Sequence, residues 1–310
     1  MFTKDHRRAP RVFGLVGVCC ALLLGSVGCA WQLSGFAGHL ADGDPGQGSY
    51  AQDPELGDGA AADLLDGVVR EVPPPVGTPS GESGAENAES GPWRVSEPLE
   101  ARPTAPEPSI GALFSPGDWD SDHHCSASVV HSPGGNLIAT AAHCVYQGGF
   151  RTNLAFVPGY HDGEAPYGIW VPERIDVDPR WAEDFDPDHD VAFLRLRRPG
   201  RPGQRLEDVT GAQTIGFGPE LPLPARVVGY PNDAEEPLDC RNTARAAGPA
   251  QLRLDCADVP DGTSGGPVLT GAHTLIGVVG GRDGGGDELV SYSSYFGDGV
   301  RALYERATGG

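Results

Sequence analysis

From residue 109 to residue 310 the chain repeats one pattern, a short apolar run rich in β-formers followed by Gly, Pro, Asp or Asn. The runs are Leu137 to Ala141, Leu154 to Val157, Ile169 to Val171, Val191 to Leu196, Thr214 to Phe217, Ala225 to Tyr230, Gln251 to Cys256, Leu275 to Val279 and Leu289 to Tyr295. Runs this short, broken this often by turn formers, cannot build helices but suit strands of a sandwich or barrel. The stretch spans roughly 200 residues, an ordinary size for one all-β domain. Clear helical spacing occurs at its end, Gly299 to Ala307, with Val300, Leu303 and Tyr304 on one face.

The preceding residues divide in two. In residues 1–41, Lys4, Arg7, Arg8 and Arg11 precede an apolar run from Val12 to Leu24, with Gly25 and then Ser26-Val27-Gly28 behind it. That order matches a secretory signal with a small-residue cleavage region, so the protein is expected to be exported. Because no charge appears between Val12 and Asp42, an uncleaved membrane anchor is the second reading, and lipid attachment at Cys29 the third. Residues 42–108 carry 14 Asp/Glu against Arg70, Arg94 and Arg102 and almost no aromatic side chains. Such a composition is expected to leave a disordered linker or pro-segment. Ala60 to Val72 is the exception, where Leu64, Leu65, Val68 and Val69 can make a short amphipathic helix.

Residues 109–310 hold 28 Asp/Glu against 15 Arg and no Lys, within a whole-chain net charge of −21. A body so acidic is a poor partner for nucleic acid or anionic lipid. Four cysteines lie in it, Cys125, Cys144, Cys240 and Cys256. In an oxidising compartment they imply two disulfides, with three pairings open. Joining nearest neighbours, Cys125 to Cys144 and Cys240 to Cys256, closes two short loops worth about 3 kcal/mol each. A metal site from His123, His124, Cys125, His143 and Cys144 is disfavoured, since adjacent His-Cys pairs lack the spacing that lets side chains converge on zinc.

Chemistry concentrates at Gly262-Thr263-Ser264-Gly265-Gly266-Pro267. A serine among glycines can present its hydroxyl on an open turn beside backbone N–H groups, as acyl transfer requires. Upstream, Thr140-Ala141-Ala142-His143-Cys144 ends an apolar strand, and Asp190-Val191-Ala192-Phe193-Leu194 begins another. The order is thus His143, Asp190, Ser264. An α/β-hydrolase needs an acid and then a histidine after the serine, yet residues 265–272 contain no acid before His273. Subtilisin-like order would need an acid from Asp118, Asp120 or Asp122 and alternating helices that the pattern does not offer.

With TAAHC at 140–144, DVAFL at 190–194 and GTSGGP at 262–267, the stretch from Ile110 to Ala307 resembles the chymotrypsin/trypsin-like serine peptidases, particularly their secreted bacterial branch, glutamyl endopeptidases among them. The resemblance implies two six-stranded antiparallel β-barrels with the site in the cleft between them, and Cys125 matches the half-cystine that staples the family's histidine loop. It implies Ser264 as nucleophile, His143 as base and then acid, Asp190 as the orienting carboxylate, and the N–H groups of Gly262 and Ser264 as the oxyanion hole. Asp188 is a rival for the carboxylate. Asp184, Asp186 and Asp188 lack the glycine and distal glutamate of an EF-hand and read as a solvated acidic loop.

Two positions depart from the family. Thr263 stands where zymogens carry the aspartate that pairs with a freed N-terminus, and no Ile-Val-Gly-Gly start is present. Cys256 lies eight residues before Ser264, where vertebrate members have a cysteine four before it. Asp258, six before Ser264, is the candidate for a pocket acid selecting Arg or Lys, while Leu275 to Gly280 lacks the histidine used to recognise glutamate. The expectation is a monomeric, cofactor-free endopeptidase outside the cell, acting on protein or peptide substrates. The alternatives are a catalytically silent binding module and an esterase on the same fold.

Overall fold

In the computed structural model the described residues are 39–75, 94–117 and 123–309. The signal-like segment and Cys29 fall outside them. Among the described residues no helix is long and apolar enough to cross a membrane.

An N-terminal segment comes first, with β1 (Ser49–Ala51) and α1 (Pro54–Gly67). The first barrel follows, built from β2 (Ile110–Phe114), β3 (His123–Val130), β4 (Leu137–Thr140), β5 (Ala155–Pro158), β6 (Val171–Val177) and β7 (Ala192–Arg197). Its strands pair antiparallel in the order β6-β7-β4-β3-β2-β5. Mutual backbone hydrogen bonds of 2.7 and 2.9 Å between Phe156 and Trp170, just ahead of β6, close the ring. The second barrel uses β8 (Leu223–Gly229), β9 (Leu238–Ala246), β10 (Gln251–Asp255), β11 (Pro267–Thr270), β12 (Thr274–Val278) and β13 (Val290–Ser294). These run antiparallel in the order β12-β11-β8-β9-β10-β13. Gly280 N–H to Tyr292 O, 3.1 Å, and Val278 N–H to Ser293 Oγ, 2.9 Å, bring β12 back to β13. The expected pair of six-stranded barrels is therefore present.

Continuous apolar runs, rather than alternating ones, follow from burial of both strand faces. Successive residues point to opposite sides, so Leu113, Val129, Ile138 and Leu194 fill the first barrel. Their neighbours Ala112, Val130, Ala139 and Phe193 belong to a second cluster, which also holds Val228, Tyr230 and Leu269 of the other barrel. The chain ends in α4 (Asp298–Gly309), after the short α2 (Pro179–Asp184) and α3 (Leu206–Thr210). It buries Val300, Leu303 and Ala307, and Tyr304 packs on Phe193 and Phe217.

The reading of residues 42–108 as disordered is corrected for the portions described. Asp53 caps α1, accepting from the Glu55 N–H, and Pro54 occupies the first turn, where a missing N–H costs nothing. The helix buries Gly57, Ala60, Ala61 and Leu64. A Cβ at Gly57 would lie 3.0 Å from Val171 Cγ2, so the small face lets the helix sit close to β6. Arg197 pairs with Asp58 at 2.7 Å and Arg198 with Glu71 at 2.9 Å, while β1 extends the first barrel's sheet beyond β6. Further on, Arg102–Pro103 pairs with Leu238 and Asp239 of β9. Composition misjudged this segment because the apolar surface it lacks is supplied by the barrel.

Candidate active site

His143 is delivered by the end of β4. Ala141 and Ala142 are fully buried and small enough for the chain to turn tightly, and a 3-10 turn over Ala142–Cys144 follows. Cys144 is disulfide-bonded to Cys125 on β3, which ties that turn to its neighbouring strand. The second disulfide joins Cys240 to Cys256, so both bridges link nearest neighbours. The imidazole keeps about a quarter of its surface exposed.

Asp190 arrives from the other side, after a 3-10 turn Pro187–His189 capped by the Asp186 side chain, which accepts the Asp188 N–H at 3.0 Å. Its side chain is 1% exposed. Oδ2 lies 2.7 Å from His143 Nδ1 and accepts the Gly281 N–H at 2.7 Å, while Oδ1 accepts the His143 N–H at 2.9 Å. A carboxylate out of water is tolerated when several donors surround it, as here. Burial alone would lower the His143 pKa, and Arg151 pushes the same way. The charge of Asp190 and its hydrogen bond outweigh both, so the pKa sits above its ordinary value.

Ser264 sits on a turn only glycines permit. Gly262 has φ +95° and Gly265 φ +78°, and a Cβ at Gly265 would approach Thr140 Oγ1 to 2.0 Å. The Gly265 N–H donates to Val279 O at 2.7 Å, and Ser264 O accepts from the Ser126 N–H at 2.7 Å. Among the described residues the N–H groups of Gly262 and Ser264 donate to no protein acceptor. His143, Gly262 and Ser264 line one cavity of ≈ 390 Å³. Beside it, Ser264 also borders a cavity of ≈ 450 Å³ whose lining includes Asp258, Asp261, Asp283, Asp287 and Glu288 and, among the described residues, no Arg or Lys.

The structure therefore brings His143, Ser264 and Gly262 to one cleft, with Asp190 buried against His143, and puts Asp258 in the adjoining cavity. Asp188 goes elsewhere, accepting from Gln251 Nε2 at 2.8 Å. His123 and His124 turn their Nε2 atoms to the carbonyls of Ala234 and Cys144, at 3.1 and 3.0 Å, and both sulfurs near His143 are in the disulfide. Sequence reading missed Gly281, which donates to Asp190, and Ser294, whose Oγ accepts the Asp190 N–H at 3.1 Å. It also missed Ser126. An ordinary Ser in a strand carries no signal of such a contact until the two barrels are placed.

Residues 125–278 match the family model described as trypsin-like peptidase domain. Among solved structures, the protease Anisep from Arthrobacter nicotinovorans superposes with a TM-score of 0.60 at 26% identity, covering 68% of this chain and all of that one. A thermostable serine protease, AL20, from an extremophilic microorganism follows at 0.58 and 28%, covering 66% of this chain and 98% of its own. A Glu endopeptidase shares the fold, at 0.57 and 17% identity over 68% of this chain and 97% of its own. No curated protein sequence matches the chain. With its paired barrels and the family match over residues 125–278, the chain carries a trypsin-like peptidase domain.

Proposed function

We propose that this protein is a serine endopeptidase acting outside the cytoplasm and cutting on the carboxyl side of Arg or Lys. The observation that carries the peptidase reading is the buried Asp190 carboxylate, 2.7 Å from His143 Nδ1, with His143 and Ser264 lining the same cleft. With Nδ1–H donating to Asp190, Nε2 is left as a proton acceptor. Ser264 Oγ attacks the scissile carbonyl carbon as its proton passes to His143 Nε2. The tetrahedral oxyanion is held by the N–H groups of Gly262 and Ser264, which have no acceptor among the described residues. The C–N bond then breaks, His143 protonates the leaving amine, and water attacks the acyl-enzyme by the same route in reverse.

Substrate choice rests on the acidic cavity. A cationic side chain entering it meets Asp258, Asp287 and Glu288 with no competing Arg or Lys among the described lining residues, whereas a glutamate side chain meets like charge. Two disulfides favour an oxidising compartment, in line with export. Peptide-library cleavage by the wild-type chain and by Ser264→Ala tests both parts. Cuts after Arg or Lys that vanish in the variant are expected. Cuts after Glu would overturn the pocket assignment alone, and an absence of cutting, or cutting that survives Ser264→Ala, would overturn the peptidase.

A further inference from the structure

The cleft is crossed by one buried hydroxyl that neither attacks nor transfers a proton. We infer that Ser126, on β3 of the first barrel, is a positioning residue that holds the oxyanion turn of the second barrel in its working shape. The inference rests on the peptidase reading above.

Ser126 is fully buried, and each of its polar groups is used. Its N–H donates to Ser264 O at 2.7 Å, and its C=O accepts from Thr140 Oγ1 at 2.8 Å. The hydroxyl donates to Gly262 O at 2.9 Å and accepts the Tyr230 N–H at 2.7 Å. Those two roles cannot be exchanged, because a carbonyl only accepts and an amide N–H only donates. One residue of the first barrel thus holds the carbonyls of both residues whose N–H groups are the expected oxyanion donors, each in the peptide that follows the donating one, and through Thr140 it also contacts the strand end that leads to His143.

The remaining restraints on the turn are likewise neutral. Asn232 N–H donates to Asp261 O at 2.9 Å, and in a planar trans peptide this directs the Gly262 N–H away from Asn232. Thr263, in the place of the zymogen aspartate, closes the turn on itself by donating from Oγ1 to Pro260 O at 2.6 Å. The Ser126 hydroxyl adds to these a local hydrogen bond between neutral groups across the barrel interface.

The test uses the full chain, wild type, Ser126→Ala and Ser126→Thr, with two readouts. These are the rate of labelling by a fluorophosphonate probe, and kcat and KM on a peptide anilide chosen from the library. Misplacing an oxyanion donor affects the transition state and not substrate binding, so Ser126→Ala should label at least about tenfold more slowly and lose kcat by a similar factor. KM should stay within about threefold, and Ser126→Thr, which keeps the hydroxyl, should recover most of the loss. Labelling of Ser126→Ala at the wild-type rate would overturn the assignment, as would a loss of kcat accompanied by an equal rise in KM or by unfolding of the barrels. A wild-type chain that does not label would instead overturn the peptidase reading.

Discussion

His143 and Asp190 meet twice, once through the imidazole Nδ1 and Oδ2 at 2.7 Å and once through the His143 backbone N–H and Oδ1 at 2.9 Å. The carboxylate therefore fixes both the ring's tautomer and the position of the backbone that carries it. Asp190→Asn keeps the shape but offers an NH₂ or a weaker acceptor to Nδ1. It should lower kcat by on the order of 10⁴ while leaving the melting temperature close to wild type, as steady-state kinetics and calorimetry would show.

The same contact sets a pH dependence. A general base works deprotonated, so activity rises as pH passes upward through the His143 pKa, which Asp190 holds above 6.5 against the opposing effect of burial. The acidic limb of kcat/KM in the free enzyme should have its midpoint above pH 6.5. In Asp190→Asn, with that charge gone and burial remaining, the midpoint should move to lower pH.

Stability should respond to acid in the opposite sense at His124. Burial first, and then the charge of Arg151, push its pKa down to about 3, while its Nε2–H donates to Cys144 O. Between pH 6.5 and about 3 the unfolded chain takes up a proton that the folded chain refuses, so stability falls as pH drops through that window. His143, whose pKa is raised, works the other way but is common to both proteins in a comparison. Melting temperature against pH should therefore decline less steeply for His124→Gln than for wild type.

The N-terminal helix supplies a mutation remote from the chemistry. Leu64 is 1% exposed and sits in the cluster with Ile110, Val157 and Val171. Leu64→Ala should cost about 2–5 kcal/mol in denaturant unfolding, the usual range for a buried leucine. The kcat of the folded protein should remain unchanged. A variant as stable as wild type would mean that α1 does not contribute to the fold.

Most of the barrel core was legible because its strands are buried on both faces, and apolar runs such as Val191 to Leu196 follow from that directly. The site residues stood out because His143, Asp190 and Ser264 each occupy a motif whose neighbours are forced by geometry, the buried alanines before His143 and the positive-φ glycines around Ser264. Two parts were not legible. The segment of Gly57, Ala60 and Ala61 looked too poor in apolar surface to fold, since nothing local shows that β6 offers a partner. Gly281 and Ser294, and Ser126 in its contacts to the turn of Ser264, act across 91 to 138 residues of chain, which no local pattern encodes.

The central claim is that Ser264 is a nucleophile activated by His143. Its most direct test is labelling of the intact protein with a fluorophosphonate probe, with the modified residue located by mass spectrometry. One label per chain is expected, on Ser264, lost in Ser264→Ala and slowed by several orders of magnitude in His143→Ala. Absence of labelling in the wild type, or equal labelling of Ser264→Ala, would contradict it.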